Sequence, residues 1–308
     1  MIDIHVRKLR QFIVVAEELH FSRAAARLYV AQQALSRQVK ELEEELGATL
    51  FRRSTRSVEL TAAGRALLEG ARATVEAWDR AVARTTSAAR AEQGVLRVGS
   101  CPAAALELTS PILRELEERL PDVEVEMREH LLTDPSAGLL DHSADVAFVR
   151  VPATLPGMEV VPLFTEPLVV SVAAGHCLAE RDRVSVAEVL DEPITVSRTE
   201  DAAYRAFWQL AGFRDEAPAV LLDHTSVIEE GILVASGRAV SVTVAAAARY
   251  GGHPDLRFVP IVDAPRSTLA VALPAAEPSP LARAFLDAAV TVRDREAGLV
   301  AAIEDPEL

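Results

Sequence analysis

Residues 21–46, FSRAAARLYVAQQALSRQVKELEEEL, constrain the fold more than any other stretch. They read as two helices meeting at a short turn near Val30. In the second, from about Gln32, the residues Leu35, Val39, Leu42 and Leu46 recur at steps of four, three and four, so one face is apolar. Its early exposed positions are Gln32, Gln33, Ser36, Arg37 and Lys40. Amide, hydroxyl and cationic groups of this kind read base edges or hold phosphates. Glu41, Glu43, Glu44 and Glu45 follow, and a polyanion would repel them. Such a helix can enter a DNA groove only through its first two turns, which is how helix-turn-helix proteins dock. An amphipathic core helix with a solvated face fits the same spacing, and the flanks decide between the two.

Upstream, Leu9, Phe12, Ile13, Ala16 and Leu19 predict a helix over residues 6–19. Ser22 is a plausible N-cap for the next helix, 23–28, and is counted with the candidate DNA contacts. Downstream, Gly47 supplies a stop. In ATLFRRSTRSVELT, Leu50 and Phe51 run in and Val58 and Leu60 run out around a polar tip. That predicts a hairpin, or wing, bearing Arg52, Arg53 and Arg56, suited to the DNA backbone or minor groove. Thr61 can cap a long helix from 62 to about 90. In it Gly64, Ala71, Trp78 and Thr85 recur every seven residues, as do Leu68, Val75, Val82 and Ala89. The pattern is a coiled-coil seam roughly 45 Å long, which would pair two chains and set two reading heads on one duplex.

Charge divides unevenly along the chain. Residues 1–90 hold 15 Lys+Arg against 11 Asp+Glu, a net of +4, and the remainder holds 17 against 35, a net of −18. A basic module on an acidic body is the asymmetry expected of a nucleic-acid-binding head with a separate function behind it. The start, MIDIHVRKLRQF, lacks the apolar core of a signal peptide, and no apolar run is long enough to span a bilayer. Cys101 and Cys177 make no disulfide framework. A cytoplasmic protein with no membrane partner is expected.

The block RQFIVVAEELHFSRAAARLYVAQQALSRQVKELEEELGATLFRRSTRSVELTAAGRALL resembles the DNA-binding head of the LysR-type transcriptional regulators. LHF followed by RAA resembles the branch that regulates aromatic-compound degradation. Two positions depart from the family pattern. Ala31 stands where Ser or Thr usually caps the recognition helix, a loss of about 1 kcal/mol. Gln33 stands where Pro is common, and adds a side chain able to pair with adenine.

The remainder alternates strands, at 94–99, 123–129, 145–149, 168–172, 194–196, 239–243 and 269–272, with helices at 104–119, 202–211, 226–236 and 280–295. It is an α/β body. GVLRVGS, ADVAFVR, EPLVVSVAAGH and SPLARAFLDA resemble the family's effector-binding domain, which is similar to the periplasmic binding proteins. The resemblance implies a winged helix-turn-helix domain at 1–60, a dimerisation helix at 61–92 and a two-lobed α/β domain at 93–300. Lobe one is then about 95–164 with 267–295, and lobe two about 165–266.

Ligands of open α/β sheets bind where strand ends lead into helices. The loops so placed hold Ser100, Cys101 and Pro102; Thr133; Ser197 and Arg198; and Thr225. Arg150, following a strand, could form a bidentate pair with a carboxylate, and helix N-termini favour anions, so a small carboxylate is the expected effector. By the resemblance, Ser100, Thr133, Arg150 and the loop at Ser197 fall near effector-contacting positions. The seven histidines lack metal-ligand spacing, and no Walker A, GxGxxG or GxSxG motif occurs, so neither metal nor cofactor nor catalytic residue is expected. The implied mechanism is a homodimer or dimer of dimers on double-stranded DNA, with an effector altering DNA bending and contact with RNA polymerase. Two alternatives stay open: redox sensing through a thiol at Cys101, or a substrate-binding or catalytic domain carrying a DNA head.

Overall fold

The computed structural model describes residues 4–53, 57–218, 220–250 and 253–306. The chain divides into two compact units, residues 1–86 and 87–308.

The first unit opens with α1 (Val6–Glu18), α2 (Phe21–Arg27) and α3 (Gln32–Leu46). Strands β1 (Phe51–Arg53) and β2 (Val58–Leu60) pair antiparallel as the expected wing, and α4 (Ala62–Glu92) follows. The apolar stripes of α1 and α3 meet in one core that includes Phe12, Leu35, Val39 and Leu42. Phe51 of the wing packs against Phe12 and Phe21 at centroid distances of 5.5 and 5.9 Å. Gly47 ends α3 at φ 63°, a conformation that favours glycine. Ala31 precedes α3 in extended backbone with no side-chain cap. Helix α2 starts two residues earlier than expected, because His20 rather than Ser22 caps it, its Nδ1 accepting from the Arg23 N–H.

Thr61 caps α4, its Oγ1 accepting the Gly64 N–H at 2.9 Å. Gly64 leaves no room for a side chain, since a Cβ there would lie 2.2 Å from the Leu50 carbonyl oxygen. The first half of the predicted seam therefore belongs to the head itself: Gly64 and Ala71 are buried and Val75 packs on the same core. Only further along is the seam open, with Trp78 52 % and Val82 43 % exposed.

The second unit contains two five-stranded sheets. The first is begun by β3 (Val95–Ser100), α5 (Thr109–Arg119), β4 (Glu124–Glu129), β5 (Val146–Val151) and β6 (Met158–Glu166). The chain then passes into the second through β7 (Leu168–Ala173), α6 (Val186–Leu190), β8 (Ile194–Ser197), α7 (Ala202–Trp208) and β9 (Leu221–His224). Next come α8 (Val227–Ala235), β10 (Val240–Val244), α9 (Ala246–Tyr250) and β11 (Leu256–Pro260). It returns with β12 (Ser267–Pro274), α10 (Pro280–Arg295) and α11 (Ala297–Glu304). Strand orders are β4-β3-β5-β12-β6 and β11-β7-β10-β8-β9, each mixing parallel and antiparallel pairs. β5 and β7 are buried on nearly every residue, as strands covered on both faces should be.

Three strands lay outside the sequence expectation, β6, β9 and β11, and the helix after β3 starts at Thr109 rather than 104. Ala103, Ala104 and Leu106 have positive φ, which breaks the helical path before that point. Near the end of α11, the Glu304 carboxylate accepts the Thr165 N–H and hydroxyl at 2.9 and 3.1 Å. No helix among the described residues is long and apolar enough to cross a membrane.

Candidate DNA-reading helix and ligand cavity

On α3, Gln32, Gln33, Arg37 and Lys40 are exposed, while Ser36 is half-buried. Ser22 donates its hydroxyl to Gln32 Oε1 at 2.9 Å, so it orients an amide at the first turn of α3. Arg37 and Lys40 reach Glu41 and Glu44 one turn on, at 3.1 and 3.4 Å. Exposed pairs at this spacing are weak, so both cations are available to a stronger anion.

Arg53 is engaged within the head. Its guanidinium lies 4.3 Å above the Phe21 ring, donates to Ser36 Oγ at 2.9 Å and reaches Glu43 at 3.4 Å. Glu43, which the sequence suggested only as a repelled charge, accepts the Leu50 and Phe51 N–H groups at 2.7 and 3.1 Å. These contacts fix the wing to α3, so Glu43 and Arg53 set the position of β1, on which Arg52 is exposed. Arg56 lies outside the described residues.

In the second unit a cavity of about 800 Å³ opens between the two sheets. That volume lies within the range of small-molecule sites. Of the eight residues expected from sequence, Cys101, Pro102, Arg150 and Ser197 line it. Ser100, Thr133, Arg198 and Thr225 do not. Ser100 is buried at the end of β3, and Leu132 takes the cavity position beside Thr133. Arg198 is largely exposed and faces Asp223.

The two features expected to attract an anion already have internal partners. Arg150 is buried, and its Nη2 sits 2.6 Å from Oε2 of fully buried Glu166, a contact of charge rather than an aligned hydrogen bond. Burial alone would lower the Arg150 pKa, and Glu166 more than reverses this. At the start of α8, Glu229 accepts the Thr225 N–H and hydroxyl at 2.7 and 2.8 Å, which holds its carboxyl below the usual range. Ser226 caps the same helix, its Oγ accepting the Glu229 N–H.

Sequence reasoning missed the acceptors on the floor. Glu230 of α8 lines the cavity, and its described partner is the Ser241 hydroxyl, which donates to it. Burial pushes this carboxyl up to about 7, against the lowering effect of Ser241. The Thr195 hydroxyl lies 2.9 Å from His224 Nδ1 and 3.1 Å from the Leu222 carbonyl oxygen, and burial holds the His224 ring neutral to about pH 4. Ser197 and Trp208 also line the cavity, but Ser197 Oγ and Trp208 Nε1 are themselves buried and have no hydrogen-bond acceptor or donor in range among the described residues. The cue for Glu230 was its place between Val227 and Val234 on one stripe of a helix whose only other charge is Glu229.

Cys101 is buried in the cavity wall, and burial pushes its thiol up to about 11. Reactive thiols have depressed values, so this environment works against the redox alternative. His176, Cys177 and Glu192 also approach one another. His176 Nδ1 accepts the Leu178 N–H while Nε2 faces Glu192 at 3.4 Å, so the ring is satisfied by protein groups.

Comparison with known proteins places both units. The pattern of the bacterial regulatory helix-turn-helix protein, lysR family, matches residues 6–65, and that of the LysR substrate binding domain matches residues 89–293. The HTH-type transcriptional regulator AlsR of Bacillus subtilis is 34% identical over 73% of this chain and 76% of its own. The crystal structure of full-length CbnR complexed with its target DNA matches at TM-score 0.51 and 27% identity, over 94% of this chain and all of that one. An OxyR C206 mutant of Corynebacterium glutamicum matches at TM-score 0.53 and 26% identity, over 96% and 93%. Regulators as different in name as CbnR and OxyR match equally well, so the comparisons single out no branch, including the aromatic-degradation branch expected from LHF and RAA.

Proposed function

Because the chain belongs to the LysR family of transcriptional regulators, which are not enzymes, we propose that it is a cytoplasmic, sequence-specific DNA-binding regulator whose output is set by a small molecule in the cavity between its two sheets. The observation that carries this is the pairing, in one chain, of an open polar first turn on α3 with a ligand-sized cavity lined by charged, polar and apolar side chains. Gln32, Gln33, Ser36 and Arg37 face base edges, Lys40 and Arg52 hold phosphates, and Ser22 and Arg53 position their neighbours. Paired α4 helices join two chains, and a dimer of dimers sets two heads on each half of an operator. The ligand acts by preferring one arrangement of the subunits, which alters DNA bending and contact with RNA polymerase. The carboxylate expected from sequence keeps Arg150 as its counter-cation, but Glu166 already neutralises that charge. The reading therefore stops at a small, largely apolar molecule.

Arg37→Ala tests the DNA half. It should relax preference at one base pair at a cost of about 1–3 kcal/mol, read by competition between single-substituted operators. A uniform loss across all operators would assign Arg37 to the phosphates instead.

A further inference from the structure

We propose that the cavity selects a small, largely apolar amine, whose ammonium group is received by Glu230. The proposal rests on the reading of the cavity as the ligand site and adds the ligand's charge. It stands first on who already has a partner. Arg150 is the guanidinium that lines the cavity, and Glu166 takes its charge. At the start of α8, Ser226 takes the Glu229 N–H, and the Glu229 carboxylate, which takes the Thr225 N–H, already places a negative charge there. Both the guanidinium and that helix terminus thus have an anionic neighbour from within the protein.

The acceptors are in the opposite condition. Glu230 faces the cavity with Ser241 as its described donor, and a carboxylate can accept several hydrogen bonds. The His224 ring lines the cavity beside it and, held neutral by burial, brings no positive charge. Glu129 adds a second carboxylate to the lining. Ser197 and Trp208 also line the cavity, but their polar atoms are buried and neither carries charge. With Arg150 neutralised, the net charge presented to a ligand is negative. The body around it, at −18, adds a field of the same sign that draws cations. A carboxyl held near 7 by burial gains most from a cation that arrives to replace lost solvent. The rest of the lining, including Tyr204, Val244, Phe258 and the Ile228 and Ile232 side chains of α8, suits an apolar or aromatic body.

The test uses the full chain and three matched probes: phenethylamine, phenethyl alcohol and phenylacetate. Calorimetry at pH 8 is run on the wild type, on Glu230→Gln and on Ser241→Ala, with melting curves to confirm that each is folded. The expected result is amine binding at least tenfold tighter than phenylacetate binding. Glu230→Gln should remove that preference and change alcohol binding less than threefold. Ser241→Ala, which frees Glu230, should keep the preference and so guards against an unfolded first variant. Tighter binding of phenylacetate, or amine binding that is unchanged in Glu230→Gln, overturns the amine proposal while leaving the cavity as the ligand site. Failure of all three probes to bind the folded wild type would overturn the cavity reading as well.

Discussion

Two groups on the cavity floor are held from their ordinary pKa values in opposite directions. The Glu230 carboxyl is pushed up to about 7, and the His224 ring down to about 4, both by burial. Folded Glu230 keeps a proton that the unfolded chain releases near pH 4.3, so its contribution to stability falls as pH rises towards 7. Folded His224 refuses a proton that the unfolded chain takes near 6.5, so its contribution falls as pH drops towards 4. Between about pH 4.5 and 6.5 the two slopes oppose each other. Glu230→Gln should therefore uncover the His224 slope, with the melting temperature climbing across that interval. Above pH 7 the variant should be more stable than the wild type by about 1–3 kcal/mol, since it no longer ionises a buried carboxyl. A pH profile parallel to that of the wild type would contradict the assignment of Glu230 as a buried titrating group. Adjacent residues show why sequence alone could not make that assignment. Glu229 and Glu230 are chemically identical, yet one closes a helix N-terminus and the other faces a cavity.

At the scale of elements, local signals sufficed wherever a helix or strand carries its own punctuation. Leu35, Val39 and Leu42 on α3, ended by Gly47, and Thr61 opening α4 fall where spacing and capping put them. β6 was hidden because Pro162 interrupts it, and proline argues against a strand interior. The structure accommodates it with a bulge: Phe164 pairs with Leu269 and Pro162 with Ala270, leaving Leu163 unmatched. β9, Leu-Leu-Asp-His, is short and half polar, and its pairing with β8 defines it rather than any pattern of its own. The heptad along α4 was legible, but not that its first half serves the head's own core. This division sharpens the test of pairing. Trp78→Glu places a charge on the open half, about two helical turns beyond the buried Ala71. Sedimentation should show loss of the helix-mediated dimer with the melting of the head unchanged, because a charge without a partner in a buried seam costs several kcal/mol. A dimer that persists would place the pairing surface elsewhere.

For the whole molecule, position at a strand end did not suffice to bring a residue to the cavity. Cys101, Pro102, Arg150 and Ser197, at or just after strand ends, line it. Ser100, which ends β3, is buried instead, and Arg198, which follows β8 directly, faces Asp223. The partnering of charges was still less legible, since Arg150 meets Glu166 only when β5 and β6 flank β12. The head reads more simply because it is local: contacts from Ser22 to Gln32 and from Arg53 to Ser36 all lie within one short segment. Sequence-specific DNA binding through that head is the central claim, and one measurement reaches it most directly. The full chain is titrated against a duplex selected by the protein from a random pool and against a scrambled duplex, at two salt concentrations. The account predicts about a thousandfold or greater preference for the selected duplex, with both affinities falling steeply as salt rises. Equal affinity for the two duplexes at either salt concentration would contradict it.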